Sequence, residues 1–174
     1  MGWIIMYYEN FTPLGKFLYD LTIMHTSFMC KHKWLFYVLS YTWGILTTII
    51  GLLVSFGLLI TGHKPNKYYW VHYFKLKANW GGFSVGNTFV RDTTSNDSIN
   101  EHEFGHTMQN TLFGPFAIFL CFIPSIIRYF LFVKAQKKGI PTKDYNSVWF
   151  EASATDCGKF LVEEIEQCKI QMKN

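Results

Sequence analysis

Charge is what this chain of 174 residues has least of. Asp, Glu, Lys and Arg together make 16% of it, well under the quarter or so usual in soluble domains. With 49% hydrophobic and 19% aromatic residues beside that shortage, the composition is that of a protein partly solvated by lipid. Cysteine is scarce as well. Cys30, Cys121, Cys157 and Cys168 form no close pair, and Cys121 lies inside an apolar run, so neither a disulfide framework nor a cysteine-zinc site is indicated. The excess of positive charge is only +4. Its lysines are scattered beside apolar segments, which fits contact with membrane lipids and gives no nucleic-acid footprint. There is no internal repeat, so the length describes one domain with at most an appendage.

What is present begins with apolar runs. Trp34 to Ile60 is 27 residues without a charge, bounded by Lys31 and Lys33 on one side and Lys64 and Lys67 on the other. At ~1.5 Å per residue the run reaches ~40 Å, enough to cross a hydrocarbon core with some tilt. Trp34, Tyr37 and Tyr41 stand where interface aromatics belong. A cleaved signal peptide fits poorly, because the run is too long and starts too far into the chain. The sequence predicts a transmembrane helix over 34–60 and an integral membrane protein. Three lysines precede that helix (Lys16, Lys31, Lys33) and four follow it (Lys64, Lys67, Lys75, Lys77), too even a count to assign an orientation.

Leu112 to Val133 reads in two ways. Gly114-Pro115 opens it, Pro124 breaks it and Arg128 interrupts its second half. The arm before Pro124 is 12 residues, about 18 Å of helix and too short to cross. Two such arms make a re-entrant hairpin; a kinked spanning helix anchored by Lys134, Lys137 and Lys138 is the competing form. Before it, residues 68–77 and 83–90 alternate as two strands around the turn Asn79-Trp80-Gly81-Gly82, a small β-hairpin whose edge could receive an extended peptide. A polar loop from Thr93 to Ser98 then leads to a helix, with Asp97 or Ser98 as its cap. Gly15 to Met29 reads as an amphipathic helix on the membrane or against the first spanning helix.

The chemistry sits in His102-Glu103-Phe104-Gly105-His106. Two histidines four apart share one helix face, about 6 Å apart, which suits two imidazoles on one zinc ion. Glu103 lies one position along, placed to take a proton from an activated water without being a ligand. Catalytic zinc usually takes three protein ligands, so a partner is needed from elsewhere. Glu151 in a later helix supplies one, with Ala154 a turn on to let that helix pack closely. His25, His32, His63 and His72 lack metal spacing and read as structural.

In their order these motifs resemble those of short, mostly uncharacterised membrane proteins. Those carry a Gly-Gly strand, a His-Glu-aromatic-Gly-His helix, a Gly-Pro-led apolar segment with an internal Pro-Ser, and an aromatic-x-Glu-x-x-Ala helix. Here the parts are Gly81-Gly82, His102 to His106 with Gln109, Gly114-Pro115, Pro124-Ser125 and Phe150-Glu151-Ala152-Ser153-Ala154. More broadly the chain is similar to the gluzincin metallopeptidases. That resemblance implies His102, His106 and Glu151 as zinc ligands and Glu103 as general base. It departs at Thr155, where the relatives tend to carry Asp or Asn to orient a ligand histidine.

The expected architecture is a mainly α membrane protein with a small β-hairpin. A zincin-like metal helix precedes a re-entrant or kinked apolar segment, 112–133, and a Glu-bearing helix. Residues 1–33 form a juxtamembrane segment, 34–60 the spanning helix and 61–174 the metal-binding domain. If 112–133 crossed fully, His106 and Glu151 would start on opposite sides of the bilayer, so the cost of charge in hydrocarbon favours the hairpin. The expected function is a membrane-anchored zinc-dependent hydrolase of peptides or proteins. The alternative is a non-catalytic membrane scaffold that keeps the metal for stability, and a lipid-linked substrate is a third reading.

Overall fold

The computed structural model describes residues 5–77, 80–94 and 96–171. Asn79 of the expected turn and Ser95 of the expected polar loop lie outside them. The chain is mainly helical with one small mixed sheet. Its helices are α1 (Ile5–Tyr8), α2 (Pro13–Lys31), α3 (Lys33–Tyr41), α4 (Ile45–Ile60), α5 (Ser98–Phe113), α6 (Ile123–Lys137) and α7 (Trp149–Gln171). Between α4 and α5 come the strands β1 (Asn66–Tyr68), β2 (Val71–Leu76), β3 (Gly82–Val85) and β4 (Thr88–Asp92).

Helix α5 is the axis of the structure. Ten of its residues are buried, from Asn100 to Phe113, between the sheet on one side and α2, α3 and α7 on the others. Phe104 is fully enclosed. Tyr68, Tyr69 and Trp70 from the β1–β2 turn place their rings 5.8, 5.9 and 5.8 Å from it. Burying one such phenylalanine contributes roughly 1.5–3 kcal/mol, so the motif helix is anchored by the aromatic inside the motif itself. Helix α2 lies mainly against α7, touches α5 and α3 as well, and leaves Leu14, Phe17, Met24 and Phe28 exposed. Its inward face is polar, but Thr22 and Thr26 donate to carbonyls one turn back, Leu18 O and Thr22 O, which lets hydroxyls be buried without loss.

The expected spanning helix over 34–60 is two helices, α3 and α4, bent by 87° at 42–44. Hydropathy averages across a break that the local chemistry accommodates. Ser40 and Thr42 donate to Phe36 O and Val38 O, Thr48 donates to Ser40 O, and the Trp43 indole donates to Leu112 O. Hydroxyls that satisfy carbonyls at a helix end let it stop and turn. Phe36 is thereby fully buried in the core, while Trp34, Val38 and Tyr41 of the same helix stay exposed.

The re-entrant hairpin is likewise absent. Residues Ile118–Lys137 form one continuous helical run of 20 residues, through Pro124. A π-helical turn, Ile118–Phe122, precedes α6, and its last bond runs from Ile123 N to Ile118 O. Pro124 therefore falls in the first turn of the α-helical part, where a missing N–H is least costly. Among the described residues this run is the one helix long and apolar enough to cross a membrane, and 6% of its apolar window is buried. The return to α7 is made by the loop after Lys137. Arg128 clasps that loop midway along α6, donating to Tyr145 O, Asp144 O and Ser147 Oγ. Carbonyls and a hydroxyl, with no carboxylate, are its partners there.

The expected hairpin is a four-stranded sheet of order β1-β2-β4-β3. Its tight turn is Gly86-Asn87, with Gly86 at φ 63°, so 82–92 folds back on itself before reaching β2. β4 therefore pairs with β2 in parallel, Tyr73 opposite Phe89, while β3 pairs antiparallel with β4 alone. That leaves β3 as the edge strand beside α5, which is where the sequence placed an edge.

Candidate metal centre

His102 and His106 stand on successive turns of α5 with ring centroids 4.7 Å apart and planes at 88°. Glu151, in the first turn of α7, is fully buried against them. Its Oε2 lies 3.1 Å from His102 Nε2 and 3.4 Å from His106 Nε2. Two glycines bring the helices this close. A Cβ on Gly105 would collide with the Ala154 carbonyl, and one on Gly158 with the Glu101 carbonyl. The small residue expected at 154 thus meets a second small residue facing it.

The hydrogen-bond network assigns the tautomers. Gln109 donates through Nε2 to Phe150 O (2.6 Å) and Ser153 Oγ (2.8 Å). Its Oε1 therefore faces His106 Nδ1 at 2.7 Å and accepts from it. Thr155 donates to Asn146 Oδ1 at 3.1 Å, so its hydroxyl accepts from His102 Nδ1 at 2.8 Å. Both rings spend their proton on Nδ1, which leaves two Nε2 lone pairs 3.1 Å apart and turned towards Glu151. Among the described residues neither carboxylate oxygen of Glu151 accepts a hydrogen bond. Three acceptors converging on one point need a positive charge between them. These three side chains, with ligand atoms within 4.8 Å of one another, can hold a metal ion. In its absence a proton on His106 serves: burial alone would lower that pKa, but the Glu151 carboxylate raises it to about 9. Burial would raise the pKa of Glu151, yet the two imidazoles hold it below the usual carboxylate range.

Glu103 lines the same cleft, between α5 and β3. It is buried, its Oε2 has no hydrogen-bond partner among the described residues, and burial pushes its pKa up against the pull of His102 and His106. Gly82 makes room for it, since a Cβ there would come within 2.7 Å of Glu103 Oε1. Asp92 fixes that stretch by accepting from the backbone N–H groups of Trp80 (3.1 Å) and Gly81 (2.8 Å). The cleft has a volume of 1160 Å³ and runs from His102, Glu103 and His106 to the edge of β3 on one side and α6 on the other.

All four expected site residues are therefore together. Asp97 occupies the cap position of α5 without a capping bond from its side chain; its carboxylate accepts instead from Arg91 at 3.4 Å. The other histidines go elsewhere, as expected. His25 meets Thr111, His63 meets Thr61, and His32 lies against Phe28. Two contributors had no sequence signal of their own. Tyr145 lines the cleft with its ring 6.4 Å from that of His102. Asn146 orients Thr155. Both come from a short loop whose position depends on Arg128, a contact that spacing cannot forecast. Thr155 holds the His102 ring by accepting from its Nδ1.

No known protein family matches this chain, and neither a curated protein nor a solved structure matches it.

Proposed function

We propose that the protein is a membrane-embedded zinc metallopeptidase of the gluzincin-like kind. The observation that carries this is the meeting of His102 Nε2, His106 Nε2 and a Glu151 carboxylate with no hydrogen among them, beside Glu103, whose buried Oε2 has no hydrogen-bond partner among the described residues. Two imidazoles and one carboxylate are the donor set of hydrolytic zinc sites, which keep a fourth position open. When bound, zinc supplies a water acidified to near neutrality and a Lewis acid for the substrate carbonyl.

The chain's own residues do the rest. Gln109 and Thr155 hold the imidazole rings in the tautomer and orientation that present Nε2. Glu103 accepts the proton of the attacking water and passes it to the leaving amine. Its raised pKa brings it nearer to the working pH, where a general base is most effective. The Tyr145 hydroxyl faces the same space and offers a donor to the carbonyl oxygen as charge builds there. The edge of β3 holds an extended substrate by its backbone. The bilayer enters through the run Ile118–Lys137 and the outer half of α4, where Leu53, Phe56, Ile60, Phe119 and Leu131 are all more than 60% exposed. An apolar surface of that extent needs an apolar solvent.

A scaffold that keeps the metal for stability alone is the second reading, favoured by a neutral Thr155 where the relatives tend to carry an acid. The test separates the two. Detergent-purified protein should carry about one zinc per chain. Glu103→Gln should keep that zinc while peptide hydrolysis falls at least ~100-fold. Loss of zinc in Glu103→Gln, or unchanged hydrolysis, contradicts the proposed role. Zinc without hydrolysis in the wild type establishes the scaffold.

A further inference from the structure

The metal cleft has one wall of protein core and one that faces outward. Its floor is α5, and its inner side is the edge of β3. The outer wall is a single face of the run Ile118–Lys137, carried by Phe122, Ile126, Tyr129, Phe130 and Val133 at spacings of three and four. Of that run only Cys121 is buried. Ile127 and Leu131, on its other faces, are 54% and 62% exposed. Up to Val133 its polar residues besides Tyr129 are Ser125 and Arg128, and so apolar a surface suits a helix in lipid. The same helix thus borders the bilayer on one side and the reaction site on the other.

From this we infer that the substrate is the apolar segment of a membrane-embedded polypeptide, entering sideways between α6 and β3. The inference rests on the metallopeptidase reading and adds the substrate's chemistry. A helix in lipid has every backbone group satisfied internally, and its peptide bonds are shielded. To be cut, the segment must extend, and its freed N–H and C=O groups then need partners in a medium that offers none. The edge of β3 supplies them. Among the described residues β4 is its sole strand partner, so alternate backbone groups of Gly82–Val85 point outward beside Glu103. The apolar face of α6 takes the side chains that the extended segment exposes. An acyl chain would use that face but has no need of a strand edge, and a polar soluble peptide would use the edge but gain nothing from the face.

The test uses the zinc-loaded full chain in phosphatidylcholine vesicles. One probe is a lysine-flanked peptide of about 20 leucine, alanine and phenylalanine residues placed in the same bilayer. The other is a soluble peptide rich in glycine, serine and lysine. We expect the embedded peptide to be cut within its apolar stretch, at a kcat/KM at least ~10-fold above that of the soluble one. The pair Ile126→Ser/Phe130→Ser should lower that cleavage ~10-fold or more, a larger loss than for the soluble peptide, with zinc content unchanged. The pair Ile127→Ser/Leu131→Ser, off the cleft face, should leave both rates as they are. Equal or faster cleavage of the soluble peptide overturns the inference but not the metallopeptidase. So does an unaffected Ile126→Ser/Phe130→Ser pair, and so does release of fatty acid from the vesicles in place of peptide cleavage. A zinc-loaded protein that cuts neither peptide removes both.

Discussion

Helices α6 and α7 follow one another in the chain and contrast in nearly every respect. α6 is the more apolar and has no buried residue; α7 carries Glu151, Ser153, Thr155, Asp156 and three more acidic groups, yet seven of the nine residues from Phe150 to Gly158 are buried. Hydropathy alone would have exchanged their places. What buries α7 is fit. Gly105 and Gly158 remove the side chains that would hold α5 and α7 apart, and Gln109 then satisfies Phe150 O and Ser153 across the gap. Polar groups can be deep when each finds a partner. What leaves α6 outside is the absence of any such fit. Its one strong tie is Arg128, which fastens the return loop to the helix and not the helix to the core. The metal site belongs to the helix pair that packs, and the cleft wall to the helix that does not.

Filling that gap should break the contrast most severely. In Gly105→Ala or Gly158→Ala the new methyl meets a backbone carbonyl, and neither backbone can step aside while the aromatic core behind it stays packed. We expect a loss of at least ~3 kcal/mol, the upper end for overpacking, and zinc binding lost as Glu151 is moved off the histidines. The corresponding change on α6, Ile127→Ala, should stay within ~0.5 kcal/mol in detergent. Thermal unfolding and zinc stoichiometry measure both. Equal costs on the two helices would mean that their difference in packing is not what sets stability here.

The sequence showed the site more fully than the fold that builds it. His102, Glu103 and His106 were readable because a helix puts i and i+4 on one face. Glu151 was readable because zinc needs a third ligand, and Ala154 marked the close approach beside it. The errors share one cause. The bend at 42–44 and the straight passage through Pro124 are both decided by hydrogen bonds of single hydroxyls and by one π turn, to which a hydropathy window is blind. The strand pairing failed for a similar reason: Gly86-Asn87 is a better turn than 79–82, and choosing it reverses the neighbour of β2. Tyr145 and Asn146 could not be placed because their loop is fixed by an arginine 17 residues from Tyr145.

A second contrast should appear on changing pH without metal. On the α7 side the site titrates. His106, raised from 6.5 to about 9, contributes stability that is complete below pH 6.5 and disappears as pH rises through 9. Glu151, held below its ordinary 4.5, contributes stability above that pH and loses it on acidification. Glu103, raised from 4.5 by burial, loses its contribution as pH rises above 4.5, while His25, lowered from 6.5 to about 4 by burial, gains one over the span up to 6.5. Chelator-treated protein should therefore be most stable at about pH 4.5–6.5 and lose up to ~1.4 kcal/mol per pH unit towards 9. Zinc should reverse the trend, because it competes with the proton on His106 and binds more tightly as pH rises. Arg128→Met on α6 should leave the slope unchanged, whereas His106→Ala should flatten it. A flat profile in the metal-free wild type would mean that His106 and Glu151 are not coupled.

The smallest effect tests how the ligand rings are held. Thr155 accepts from His102 Nδ1 only while its own hydrogen is committed to Asn146. Thr155→Val keeps the shape and removes the acceptor, so Nδ1–H is left buried without a partner and the tautomer that presents Nε2 loses its advantage. Zinc affinity should fall 10- to 100-fold, the range for an outer partner of a metal ligand, with little change in the fold. Thr155→Asp supplies a charged acceptor at the same place and should bind zinc more tightly than the wild type. Asn146→Ala should fall between wild type and Thr155→Val, since the Thr155 hydroxyl can then turn and donate to the ring instead. Competition with a zinc chelator gives all three constants. If Thr155→Val matched the wild type, the hold on α5 would come from Glu151 and Gln109 alone, and the neutral partner at 155 would be no handicap to the site.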